Sequence, residues 1–215
     1  WELPPRGQAV RVICCELARV SAHLLGVGCY AMDVGAMTVF LYTFTQRETV
    51  YNICEKISGA RFTTSYTRIG GQTRDISEQT IKEILKFCDE VSEVIEEVDK
   101  LLTRNPIFIG RTRDVGYISR EDAIGYGLTG PNLRGSGVEF DMRKNHPYLG
   151  YEKYDFDIPI GKVGDSFDRY LVRMEEMKES VKILRQVCEK IPKGPVNITD
   201  PKGTLPDKEK VMMSM

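Results

Sequence analysis

Between Leu24 and Phe44 the chain reads LLGVGCYAMDVGAMTVFLYTF, almost wholly apolar with a single carboxylate, Asp33, near its middle. A run of this length must be covered by protein or by lipid. An ionised carboxylate in an apolar setting is costly, so it is expected to be paired, hydrogen-bonded or protonated. The run is long enough to span a bilayer, but a central charge costs about 3 kcal/mol there even on the lenient insertion scale. Gly26, Gly28 and Gly35 also interrupt it. A pair of helices buried in a globular domain is the reading that follows.

Composition narrows the function classes. The 215 residues are 28% charged and 41% hydrophobic with a formal net charge of −1, enough for a sizeable core and without the basic field that nucleic acid requires. The six cysteines (Cys14, Cys15, Cys29, Cys54, Cys88, Cys188) form no C-x-x-C pair, and only two histidines are present, His23 and His146. No metal site within the chain is expected, and the scattered cysteines read as buried thiols of a reducing compartment. No signal peptide is legible in WELPPRGQAV. The start without methionine and the ending VMMSM are expected of a middle piece of a longer polypeptide.

The fold class expected is mainly α with minor β, one helical domain over 1–215. Residues 1–76 hold the Asp33 helices and a following loop. A helix is expected over Gly7–Leu25, with Arg6, Arg11, Glu16 and Arg19 interspersed in its apolar stripe; it either continues to Asp33 or breaks at Gly26–Gly28. A second, Gln46–Ser58, stops at Gly59. In ARFTTSYTRIGG the alternation of Phe62, Thr64 and Tyr66 predicts extended backbone or a short strand, closed by Gly70–Gly71. Ser77–Arg104 is an amphipathic helix, with Ser77 as cap and Ile76 stapling onto Ile81. Its acidic face reads as solvated, or as a dock for a basic partner. Residues 105–164 are irregular and rich in glycine and aromatics. A short capped helix is expected over Ser119–Tyr126, turn glycines in RGSG (Arg134–Gly137) and a strand over Tyr154–Ile160. A last helix spans 165–191, before Pro192, and an extended tail covers 192–215.

No nucleophile elbow, zinc helix motif or dinucleotide fingerprint is present. His23 and Asp33 are ten residues apart, which on one helix leaves an offset of about 280° (about 80° the other way) and about 15 Å along the axis, so the two need not touch. His23 is then more readily a satisfied core histidine than a proton carrier.

Four stretches carry a family resemblance: ELARVSAHLL…AMDVGAMTVFLY…QRE, SGARFTTSYTRIGG, GLTGPNLRGSGVEFDMRK and FDIPIGKVGDSFDRYLVRMEEMKESVKI. In order and spacing the chain resembles the D-subunit family of bacterial respiratory NADH:quinone oxidoreductase (complex I). The resemblance implies a fold like the large subunit of nickel–iron hydrogenases, without the metal. It implies a peripheral place on the cytoplasmic face of the bacterial inner membrane. Expected partners are the B and C subunits and the membrane subunit at the quinone entrance. The quinone chamber would be shared with the B subunit, which holds the terminal iron–sulfur cluster. NADH would bind another subunit, and the fragment alone would be inactive.

The same resemblance carries over site residues. Asp33 matches the acid of the family's A-[LM]-D-[LIV]-G-A motif, paired there with a quinone-facing histidine from the N-terminal part, which with a quinone-bonding tyrosine would lie upstream of Trp1. Cys29 and Leu25, one and two turns before Asp33, match the face that lines the quinone cavity. The bland alternative makes Asp33 a local cap or salt-bridge member. After G-A-R-[FM] the family often has a cluster-proximal histidine; this chain has Thr63. A cluster of lower, less pH-dependent potential is expected, suited to a low-potential quinone such as menaquinone. Arg61 and Arg68 are cluster-facing charges in this reading, ordinary loop ion pairs in the other. Two rivals remain: a hydrogenase-type large subunit and an assembly scaffold without a catalytic role.

Overall fold

The computed structural model describes residues 2–199 and 213. Helix α1 (Pro5–Asp33) begins with proline at its first turn, where a missing N–H costs nothing, and runs unbroken through Gly26 and Gly28. At Gly28 a β-carbon would collide with the Thr43 hydroxyl, so the glycine lets the next helix close onto α1. That helix, α2 (Met37–Ser58), follows a turn in which Gly35 takes φ 96°, and ends at Gly59 in the left-handed conformation. It starts nine residues earlier than the amphipathic pattern predicts. A two-residue hairpin, β1 (Thr67–Arg68) against β2 (Gly71–Gln72), is the only sheet among the described residues. The Phe62–Tyr66 alternation precedes it and forms no ladder.

Ser77 caps α3 (Glu78–Leu102) by accepting from the Thr80 N–H, and Ile76 is buried beside it. Residues 105–164 are more regular than expected. Asn105 caps α4 (Pro106–Thr112), which Pro106 starts rather than merely ending α3. Ser119 caps α5 (Arg120–Gly125), and α6 (Gly130–Gly135), α7 (Met142–Asn145) and a 3-10 turn (Tyr151–Lys153) follow. Within RGSG only Gly137 has positive φ; Gly135 is helical. The strand expected over Tyr154–Ile160 does not form. Its backbone is extended with Phe156 buried, but no second strand pairs with it and Pro159 lacks a donor. Helix α8 (Ser166–Glu189) is capped by Asp165. Asp168 accepts from the backbone N–H groups of Lys162, Val163 and Gly164, placing negative charge at the positive end of the helix. Beyond 199 the tail expectation lies outside the described residues, Met213 excepted.

Helix α1 lies between α2 and α8, and α3 packs on both of those. Ile13, Leu17, Val20 and Leu24 of α1 join Phe87 and Val91 of α3 and Met174, Met177 and Leu184 of α8 in one core. Cys14, Cys88 and Cys188 are buried and all six thiols are free; burial pushes the Cys88 and Cys188 thiols up to about 12.

Charged side chains run through this core. Glu16, fully buried on the apolar stripe of α1, accepts from Arg143 Nη1 at 3.1 Å and from the Tyr151 hydroxyl at 2.6 Å. Arg143 also donates to Asp141 from Nε at 3.0 Å and from Nη2 at 2.7 Å. Two turns along α1, His23 Nε2 lies 2.8 Å from Glu176 of α8, whose other oxygen accepts from Arg134 Nε at 2.6 Å. Arg134 comes within 3.8 Å of Asp141 and so joins the two halves. Burial pushes Asp141 up, but hydrogen bonds and charge from Arg143 outweigh it and hold this acid down to about 2. Burial likewise opposes the charge of Glu176, and hydrogen bonds from His23 and Arg134 win, lowering it.

Removing one member of such a group strands the others. Arg143→Met in the intact subunit is expected to lower unfolding stability by about 3–5 kcal/mol, read from denaturant titration. Asp141 titrates near 3.8 when unfolded and near 2 when folded. Its stabilisation, about 2 kcal/mol, is complete above the unfolded value and lost as pH falls from near 4 through 2. Asp141→Asn is expected to flatten that part of the acid-unfolding curve.

Candidate functional site

The buried face of α1 includes Val20, Leu24, Val27 and Ala31. Asp33 is two steps past Ala31, about 200° around the helix, and therefore faces outward. It is exposed, the last residue of the helix, and its carboxylate has no hydrogen bond or ion pair among the described residues. The expectation of a buried, paired carboxylate is corrected on this point: α2 and α8 cover the opposite face. The run Leu24–Phe44 is likewise buried on one side only, leaving Leu25, Met32, Met37, Leu41 and Tyr42 exposed. By length and hydropathy α1 could cross a membrane, and just over half of that stretch is buried within the chain.

Leu25, Cys29 and Asp33 follow one another at four-residue intervals and so share a side of α1, spanning about 12 Å. Leu25 is exposed and Cys29 half-buried. The end of α1 carries no basic residue in its last turn, so Asp33 sits at the unfavourable, negative end of the helix. Arg111, from the last turn of α4, supplies a cation there by donating to the Val34 carbonyl at 2.6 Å.

The expected cluster-facing residues lie between α2 and α3, all exposed. Arg61 is drawn back onto α2, donating to Glu48 at 2.5 Å and Asn52 at 2.6 Å. Arg68 donates to the Ser65 hydroxyl and the Thr67 carbonyl, and Thr63 has no side-chain partner among the described residues. Both arginines are thus held by local partners. Arg61 and Leu25 meet in one cleft of about 250 Å³, with Arg47, Tyr51 and Phe62 on its walls. Asp33 and Cys29 do not line it.

His23 is a satisfied core histidine, held by Glu176, whereas Asp33 is exposed. Glu16, Arg134, Asp141, Arg143 and Glu176 were not singled out by sequence reasoning. The available signal was their register: Glu16 and His23 occupy stripe positions of α1, and Glu176 lies between Met174 and Met177.

Fold and surface define a class: a mainly helical domain with an exposed acid, Asp33, at the end of a long helix beside an open apolar face. Residues 33–215 match the family model described as respiratory-chain NADH dehydrogenase, 49 Kd subunit, and the chain belongs to that family. It is 58% identical over 215 residues to the NADH-quinone oxidoreductase D subunit of Akkermansia muciniphila, covering all of this chain and 52% of that protein. It is 57% identical over 215 residues to the same subunit of Methylacidiphilum infernorum, again the whole chain and 51% of the relative. With the first D subunit of Opitutus terrae the identity is 55% over 214 residues, 99% of this chain and 50% of that one. The chain spans about half the length of the curated relatives it matches.

Proposed function

We propose that this chain is the part of the D subunit that forms, with the B subunit, the quinone-reduction chamber of a proton-translocating NADH:quinone oxidoreductase. One observation carries the reading: Leu25, Cys29 and Asp33 share a side of an unbroken helix, and the chain's own elements leave the ends of that side, Leu25 and Asp33, uncovered. A quinone head can lie along such a face once neighbouring chains roof it. Electrons would come from an iron–sulfur cluster held by the B subunit, ultimately from NADH bound elsewhere in the complex.

The part played by this chain is proton chemistry and shape. Reduction of a quinone to a quinol takes up two protons, and a carboxylic acid at the head can give or relay one. Asp33 is the candidate; Leu25 and Cys29 supply the apolar wall. The enzyme would be peripheral to the membrane, on its cytoplasmic face, with the B and C subunits and the membrane subunit at the quinone entrance as neighbours.

Asp33→Asn in the assembled enzyme is expected to cut NADH:quinone turnover by roughly 100-fold or more while NADH oxidation by an artificial acceptor persists. If both activities persist, Asp33 is structural and the chain is chiefly scaffold, a role the exposed acids Asp89, Glu93, Glu96 and Glu97 of α3 would also serve.

Thr63 offers the cluster no proton acceptor. The reading therefore includes a midpoint potential that is low and nearly independent of pH around neutrality, suited to menaquinone. Thr63→His is expected to raise the potential and make it fall with rising pH in a redox titration. A steep slope already present in the wild type removes this part of the reading.

A further inference from the structure

Arg47 is the one buried arginine of α2, 6% exposed. Its Nε donates to the Ser21 hydroxyl at 3.4 Å, a long contact, and its guanidinium lies over the rings of Phe44 and Tyr51 at 4.7 and 5.4 Å. Among the described residues it has no carboxylate partner. The other buried arginines behave differently: Arg134 holds Glu176 at 2.6 Å, and Arg143 holds Asp141 at 2.7 Å. A buried cation is expected to be paired, because its desolvation is otherwise uncompensated.

Arg47 lines the 250 Å³ cleft, together with Ser21, Leu25, Tyr51, Arg61 and Phe62. The charge of Arg61 at that cleft is already balanced by Glu48. The unbalanced charge is therefore that of Arg47. The planar fork of a guanidinium matches a carboxylate in bidentate fashion. The cleft is smaller than the roughly 300–1,000 Å³ of small-molecule pockets, and its walls include the exposed side chains of Leu25 and Phe62. Arginine and aromatic side chains seated in desolvated pockets are what protein interfaces concentrate at their energetic centres.

We propose that the Arg47 cleft receives the carboxylate of an Asp or Glu side chain from a neighbouring polypeptide chain. Arg47 neutralises that carboxylate, and Leu25 and Phe62 close over its methylene carbons. The cleft shares Leu25 with the proposed quinone face but excludes Asp33 and Cys29, and the test reads chain-to-chain contact at Arg47 and not quinone turnover, so its failure is distinct from a failure of that reading.

The test uses the assembled complex carrying Arg47→Lys, treated with a water-soluble carbodiimide, which joins an amine to a carboxylate in direct contact. Peptide mass spectrometry is expected to find an amide between position 47 and an Asp or Glu of another chain, absent from the wild type because arginine does not couple. A cross-link only to carboxylates of this same polypeptide overturns the proposal. In parallel, Arg47→Gln is expected to weaken retention of this polypeptide in the complex by roughly thirtyfold or more, the lower end of the cost of unpairing a buried interfacial charge. Circular dichroism establishes that the variant is folded before retention is read. Absence of either effect, the inter-chain cross-link or the weakened retention, overturns the proposal.

Discussion

The buried pairing of Glu16 with Arg143 fixes where the long first helix sits. Glu16 has two positively charged neighbours, Arg143 in the core and Arg19 at 3.4 Å along its own helix, and it also accepts from the Tyr151 hydroxyl. Arg143 is roofed by the Phe156 ring at 4.7 Å and clasps Asp141. Burial works against the charge on Arg143, yet Asp141 and Glu16 more than offset it and hold the guanidinium protonated. Such groups specify geometry more than they stabilise it, since the desolvation of each ion consumes much of the attraction. Here the specification ties α1 to the 141–156 segment and, through His23 and Glu176, to α8.

That tie explains why the apolar run of α1 and α2 is not covered all round. The network and the core occupy the face of α1 that carries Glu16, His23 and Val27. What remains outward is Leu25, Met32 and Asp33. One helix thus presents two chemistries: a side closed by ion pairs within the chain, and a side open for what lies beyond it.

Much of the architecture was legible in the sequence because it rests on local rules. Ser77, Ser119 and Asp165 are capping residues, apolar stripes follow Ser77 and Asp165, and the helices start just after all three. The network was not legible, because a charged residue within a stripe reads as part of the polar face. Glu16 meets Arg143 across 127 residues, and nothing local to either marks the pairing. The burial of Asp33 was misjudged for a related reason: composition placed it in an apolar run, but helical phase, set by where α2 and α8 pack, turned it outward. The strand expected at Tyr154–Ile160 failed because alternation describes a face and supplies no ladder partner. Of the candidate site, the co-facial placement of Leu25, Cys29 and Asp33 follows from spacing alone once the helix is continuous. The isolation of Arg47 depends on which side chains fold around it.

Because α1 is continuous, Glu16 and Asp33 are joined by seventeen residues of rigid rod, about 25 Å in length. The anchor end sets the rotational phase of the open end. One residue inserted or deleted between them would swing Asp33 by about 100° relative to the anchor, and one placed after Cys29 would also turn it away from the direction that Leu25 and Cys29 share with it. The number of residues in this interval therefore matters as well as their identity: the count aims the open end from the anchored one.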